Sequence, residues 1–320
     1  MKQLLLLALL LGSAGIWGQQ RANTYLTDSK PTSQAGTRLS IPPAVSAQQV
    51  CNLALLGQVW GFVKYYHPAV AQGKFDLDAE LIRLLPKVLA MRNQAGCNQV
   101  LVEWLASLGP VPRCLTCANA PSKVPARQLP PLTWLTDTRL ASSALSKQLL
   151  NLRDNRNQGP AYYFAPRAAA DSIPTFTHEE AYAATPYPSA DLRLLALFRL
   201  WNSVQYFYPY KYLLSSPWEA TLSTYIPRFL AAADGLAYRL VVQELACQLA
   251  DAHCQIVATD TVLTRYYGRY GVPARVQFVG RQVVVGAITS LPFTAPTPLQ
   301  RGDLLTHLDG VPLATVLAQR

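Results

Sequence analysis

The feature that most constrains the fold is an internal repeat at a constant offset of 141 residues. The stretch LALLGQVWGFVKYYHP, at positions 53–68, aligns with LLALFRLWNSVQYFYP, at positions 194–209, so that Trp60 falls on Trp201. The offset continues without a gap through the next two predicted helices. A match that keeps its spacing over so long a stretch indicates two copies of one structural unit.

Apolar residues recur at helical spacing in both copies, which predicts three helices around a shared core in each. Pro68 and Pro209 are predicted to end the first helix of each copy, and Pro86 and Pro227 to bend the second. The Trp and Tyr side chains of this pattern are interpreted as core and helix-packing residues. In the first copy the pattern consists of Leu53, Leu56, Trp60 and Val63, then Leu81, Leu84, Leu85 and Val88, then Val100, Leu101, Trp104 and Leu108.

The rest of the sequence predicts a connector and a strand-rich end, so the predicted fold class is α+β. The connector is rich in Pro and Ala, with a helix near 142–155. Short strands are predicted for 275–279 and 283–288, and a tight Asp309-Gly310 turn in a final hairpin. The predicted organisation is a signal peptide at 1–18, a linker at 19–48, the first helical unit at 49–117, the connector at 118–188, the second helical unit at 189–258, and β-hairpins at 259–320.

The start of the chain is typical of a secretory signal, because Lys2 is followed by the apolar run 4–11 and then by small residues. The protein is therefore expected to be exported, to the periplasm or the extracellular space. The later apolar stretches are too interrupted by charge to span a bilayer. The net charge of +10 comes from scattered Lys and Arg without a nucleic-acid motif, so no nucleic-acid partner is expected.

Six cysteines in an exported chain favour disulfides over metal sites. If the three helices of the first copy run up, down and up, Cys51 lies near Cys97, and we predict a bridge between them. Cys114 and Cys117 form a single C-x-x-C, which is interpreted as a local disulfide or as two separate thiols rather than as a zinc site. No metal or other cofactor is predicted.

The copies differ at the loop after their third helix. The first copy continues with Gly-Pro-Val-Pro at 109–112, whereas the second has Asp251 and His253 in ADAHCQI. This difference makes the second loop the candidate specialised site, although a lone histidine at a helix-to-strand junction is more often structural than catalytic. The segment THEEAY around His178 lacks the second histidine that a zinc-protease helix requires.

Three stretches resemble the C-terminal processing, or tail-specific, serine peptidases and their tricorn-core relatives. They are LLALFRLWNSVQYFYPYKYL, LACQLADAHCQI and the PDZ-like LQRGDLLTHLDGVPL. The resemblance implies helical N-terminal parts, then a PDZ domain that holds peptide substrates, then an α/β catalytic domain. It also implies that the chain ends inside the PDZ-like domain, and that the nucleophilic serine belongs to a domain beyond it.

By the same resemblance, His253 occupies the place of the general base of the tricorn-core branch, and Asp251 would orient its loop. In the tail-specific branch, which uses a Ser-Lys pair, both residues are structural. The expected partner is a polypeptide substrate or a partner's C-terminus, without a defined oligomeric state. Two alternatives stay open: a non-catalytic envelope module for peptide or protein interaction, and glycan binding by the aromatic residues at 206–212.

Overall fold

The computed structural model describes residues 44–117, 125–166, 174–182, 185, 187–251, 254, 260–268, 273–288 and 297–318. The predicted signal peptide and most of the linker lie outside these residues. The chain divides into two compact units, Met1–Val262 and Leu263–Arg320. Helices dominate the first unit and small antiparallel sheets occur in both, so the predicted α+β class is confirmed.

The first predicted helix begins and ends where its sequence signals lie. Ser46 and Gln49 form a reciprocal capping box at its start, and His67 caps its end immediately before Pro68. The second long helix starts after Asp76, whose side chain accepts from two backbone N–H groups. The helices of this part are α1 (Ala47–Tyr66), α2 (Pro68–Ala71), α3 (Leu77–Leu89) and α4 (Gln94–Ser107).

The connector packs on the helices, as the sequence predicts. Its helix, α5 (Ser143–Asp154), is capped by Ser142 and buries Leu145 and Leu149 in the same core as α1. It is followed by an antiparallel pair, β1 (Phe164–Pro166) and β2 (Pro174–Phe176). This pair brings the segment 174–182 back onto the helices.

The second set of helices reproduces local features of the first at the 141-residue offset. Trp60 Nε1 donates to the carbonyl oxygen of Leu77 at 2.7 Å, and Trp201 Nε1 donates to that of Trp218 at 3.2 Å. Both tryptophans are almost fully buried, which confirms their predicted place in the core. The helices are α6 (Ala190–Phe207), α7 (Trp218–Ala231) and α8 (Gly235–Cys247).

Helices α1 and α6 meet through residues that are themselves 141 positions apart. A Cβ atom on Gly57 would lie 2.9 Å from the Phe198 ring, and one on Gly61 would lie 1.9 Å from Asn202 Oδ1. One turn further on, the rings of Tyr65 and Tyr206 pack edge to face, with centroids 5.1 Å apart. Likewise, α1 packs on α7 and α3 packs on α6.

The predicted bridge between Cys51 and Cys97 is wrong, because both are free thiols. The starts of α1 and α4 are neighbours, but Asn52 faces Cys97, whose Sγ lies 3.7 Å from the Asn52 carbonyl oxygen. Cys51 is one residue, or about 100°, away around the helix and is exposed. The local disulfide is the one between Cys114 and Cys117.

The second unit contains the predicted hairpins. Strand β3 pairs with β4 across a turn at Gly280 (φ 62°), and β6 pairs with β7 across Asp309 and Gly310, both with positive φ. The strand before the Asp309-Gly310 turn is interrupted at Thr306, and its two parts pair with different partners. The elements are α9 (Thr261–Tyr267), β3 (Ala274–Val279), β4 (Gln282–Ile288), β5 (Leu304–Leu305), β6 (His307–Leu308), β7 (Val311–Pro312) and α10 (Leu313–Ala318).

Within the described part of the chain, no helix combines the length and the apolar character needed to cross a bilayer.

Candidate functional site

The chain after α8 forms two backbone hydrogen bonds. The N–H of Ala250 donates to the carbonyl oxygen of Cys247 at 3.0 Å, and the N–H of Cys254 donates to that of Asp251 at 3.0 Å. Ala250 reverses the chain with φ 49°, a left-handed conformation that is unfavourable for a residue with a Cβ atom. Asp251 therefore comes directly after this reversal. His253 lies outside the described residues.

The end of α6 packs beside this loop through Tyr208. Its hydroxyl group donates to the Leu249 carbonyl oxygen at 3.5 Å, and Tyr208 and Cys254 both pack on the main core. Burial, reinforced by the charge of Asp251, raises the pKa of Tyr208 to about 12. The same two causes raise the pKa of the Cys254 thiol. Both groups are thus protonated at neutral pH, which makes the Cys254 thiol a poor nucleophile and leaves the Tyr208 hydroxyl as a hydrogen-bond donor rather than a base.

A second cluster, which the sequence does not predict, is a buried network of four charged side chains. Lys64 Nζ donates to Glu179, and Arg199 Nη2 donates to Asp78. Arg199 Nε lies 3.8 Å from Glu179 Oε2, and its Nη1 donates to the Glu180 carbonyl oxygen at 2.8 Å. The four side chains are each at most 9% exposed. The network ties the segment 174–182 to α1, α3 and α6.

Burial dominates the electrostatics of this network. Burial lowers the pKa of Lys64, although the Glu179 carboxylate opposes the shift. Burial likewise raises the pKa of Asp78, against the effect of Arg199. The Lys64 ammonium also lies over the Trp60 ring, 4.9 Å from its centroid. Two cations facing two carboxylates form a compensated set, and this arrangement suits holding the segment 174–182 in place more than proton transfer.

The backbone that carries Glu179 is bent to reach the network. His178 has φ 57° and Tyr182 has φ 48°, so left-handed residues lie on both sides of the glutamate. His178 stacks on the Tyr162 ring with centroids 3.8 Å apart, and its Nδ1 lies 2.7 Å from the Tyr162 carbonyl oxygen. The histidine in THEEAY thus packs on a tyrosine.

The remaining histidine of the helical units, His67, has a structural role. Its Nδ1 accepts from the N–H of Ala69 at 3.3 Å, which caps α2. Burial lowers its pKa to about 4, so the ring is neutral at pH 7. Among the described residues, no group of three or more His, Cys, Asp or Glu side chains is arranged to hold a metal ion.

Comparison with known proteins gives no match: no family model fits the chain, and no curated protein or solved structure is detectably similar to it.

Proposed function

We propose that this chain is the N-terminal portion of an exported serine-type endopeptidase, which holds a polypeptide substrate while the nucleophilic serine lies outside residues 1–320. The observation that carries the proposal is the loop after α8. A chain reversal at Ala250 comes directly before Asp251, in the motif LACQLADAHCQI that resembles the tricorn-core branch. The corresponding loop of the first copy has two prolines instead.

The finer architecture proposed with this function is a pair of duplicated three-helix units followed by a PDZ-like domain. Duplication is supported by the tryptophan hydrogen bonds that recur at the same offset. It is also supported by helix capping, since Asn93 and Asp234 cap α4 and α8 through the same kind of side-chain bond. In this proposal α1 and α6 are equivalent helices related by a pseudo-twofold axis.

The peptide would add as a strand to the free edge of β3. Among the described strands, β3 pairs only with β4, so its other edge offers backbone groups that an extended peptide can satisfy. Val276 and Phe278 are 47% and 66% exposed on one face of β3 and would contact alternate side chains of the peptide. The same edge suits the second candidate function, a non-catalytic module that binds a partner's C-terminus.

In the proposed peptidase His253 is the general base that takes the proton from the serine hydroxyl and returns it to the leaving amine. The test uses the complete gene product, in which His253→Gln is expected to lower kcat by about 10²–10⁴-fold, the range for general-base catalysis. His307→Gln, in the second unit, is the matched control and should retain activity.

Two outcomes separate the candidate functions. Unchanged peptide hydrolysis by the His253→Gln variant removes the general-base assignment and favours the Ser-Lys branch, in which the loop is structural. A complete gene product without a serine-containing α/β domain after residue 320 defeats the peptidase proposal and leaves the non-catalytic module. Binding of the same peptides without hydrolysis would then be the expected activity.

A further inference from the structure

The charged network occupies one side of the α1–α6 pair, and three of its members come from the helical units. Arg199, Lys64 and Asp78 form the wall of this side. Glu179 enters from the segment 174–182 and lies against both cations. This side thus binds an anionic group, and that group is the Glu179 carboxylate of the chain itself.

The opposite side carries the equivalent positions with different chemistry. At the 141-residue offset Arg199 corresponds to Gln58, Lys64 to Gln205 and Asp78 to Glu219. Because α1 packs on α7 as α3 packs on α6, the pseudo-twofold relation proposed above would bring these three residues together. The structure supports this directly for two of them, since Gln205 Nε2 donates to Glu219 Oε1 at 3.2 Å. We call Gln58, Gln205 and Glu219 the glutamine site.

The glutamine site has unused hydrogen-bond acceptors. Gln58 Oε1 and Gln205 Oε1 are both buried and have no hydrogen-bond partner among the described residues. Gln205 as a whole is only 2% exposed. A buried acceptor without a donor is unfavourable by about 1–3 kcal/mol, so a ligand that donates to these oxygens recovers free energy. Glu219 is half-buried, so part of this residue is accessible to solvent.

One cation of the chain already lies near this site. Lys211 Nζ donates to the backbone carbonyl oxygen of Gln205, and the negative charge of Glu219 favours the protonated form of this lysine. Burial nevertheless lowers the pKa of Lys211 to about 8. Its ammonium group is thus engaged with the backbone, and the two glutamine side-chain oxygens stay without donors.

We propose that the glutamine site binds a cationic group of a peptide, either the ammonium of a lysine or the guanidinium of an arginine. Both groups offer several donors and no acceptor, which matches two free amide oxygens beside a carboxylate. The site is the charge-reversed counterpart of the one that Glu179 fills. The proposal rests on the duplicated arrangement proposed above and does not depend on the peptidase assignment, because it requires no catalytic group.

The test is a titration of the 320-residue chain, with ¹⁵N-labelled glutamine side chains, by acetyl-lysine amide and in parallel by acetyl-arginine amide. A phosphate buffer avoids competing amines. We expect saturable shifts of the Gln58 and Gln205 side-chain NH₂ signals, and the stronger of the two probes identifies which cation is preferred. Glu219→Gln, which removes the charge and keeps the shape, should weaken binding about tenfold.

Glu103→Gln is the matched control, since Glu103 is exposed on α4 and, within the described part of the chain, accepts a hydrogen bond from Gln99 alone. It should leave the affinity unchanged. The proposal is overturned if neither probe produces a saturable shift, or if Glu219→Gln and Glu103→Gln bind the probe equally well. Because the readout is binding by this chain, a failed peptidase assay has no bearing on it, and a failed titration leaves the peptidase proposal standing.

Discussion

Exchange of Gly61 and Asn202 tests whether α1 and α6 are equivalent helices. A Cβ atom at Gly61 would lie 1.9 Å from Asn202 Oδ1 and 2.0 Å from its Cγ, so Gly61→Ala displaces this fully buried side chain. The displaced amide loses its bonds to the carbonyl oxygens of Gly57 at 3.0 Å and of Phe198 at 2.8 Å. Each bond contributes about 1 kcal/mol net.

The expected magnitude follows from three contributions. The lost hydrogen bonds destabilise the fold by about 2 kcal/mol, and overpacking destabilises it by about 1–3 kcal/mol. Replacing a helical glycine by alanine stabilises the helix by about 1 kcal/mol. Gly61→Ala should therefore lower the free energy of unfolding by about 2–4 kcal/mol. Gly96→Ala is the control, because its Cβ would come closest to the flexible Met91 side chain, at 2.8 Å from Sδ, and would meet Asn93 Oδ1 at an ordinary 3.5 Å, so this variant should cost under about 1 kcal/mol.

The exchange itself is the combination of Gly61→Asn with Asn202→Gly. If a pseudo-twofold axis relates the two positions, the asparagine enters from the other helix and finds an equivalent space. Urea denaturation should then give a coupling free energy of at least about 2 kcal/mol in favour of the double variant over the sum of the two single variants. A double variant no more stable than that sum would refute the equivalence of the helices.

Three further predictions concern the core and the thiols. Arg199→Met leaves the Asp78 carboxylate buried without its partner and should cost about 3–5 kcal/mol in urea denaturation, most of which an added Asp78→Leu recovers; a loss below about 1 kcal/mol would contradict the network. His67 has a pKa of about 4 in the fold, against 6.5 ordinarily, so the unfolded chain binds a proton at a higher pH than the folded chain does. The free energy of unfolding should therefore fall as the pH drops from about 6.5 to about 4. His67→Asn retains a capping acceptor and should flatten that part of a melting profile measured from pH 7 to 4, whereas an unchanged profile would refute the assignment. A thiol reagent should react with four cysteines of the unreduced, denatured protein, since only Cys114 and Cys117 are bridged. A count of two reactive thiols would instead indicate a second disulfide.

The helices were predictable because their signals are local. Ser46 and Gln49 mark the start of α1, Pro68 marks its end, and the apolar spacing between them follows one helical period. The hairpin turn at Asp309-Gly310 is equally local, since it needs two residues that tolerate positive φ. Such features depend on a few neighbouring residues and little on the rest of the fold.

Features that depend on which way a side chain points from its helix, or on contacts between residues far apart in the sequence, were not predictable in this way. The predicted bridge from Cys51 to Cys97 was wrong although the starts of α1 and α4 are neighbours, as predicted. The Cys97 thiol lies against Asn52, the residue that follows Cys51. Glu179 reaches Lys64 across 115 positions, and no local pattern connects them. A charge within an apolar run, such as Arg199 in LALFRLW, is the kind of sequence signal that could have indicated the buried network.

The most direct test of the account is labelling by a fluorophosphonate, which reacts with an activated serine hydroxyl. The complete gene product and the 320-residue chain are treated side by side, and hydrolysis of a quenched-fluorescence peptide is followed in both. We predict labelling and hydrolysis by the complete protein, and peptide binding without either reaction by the 320-residue chain. Labelling of the 320-residue chain together with hydrolysis, or no labelling of the complete protein, would contradict the assignment of the nucleophile to a domain beyond residue 320.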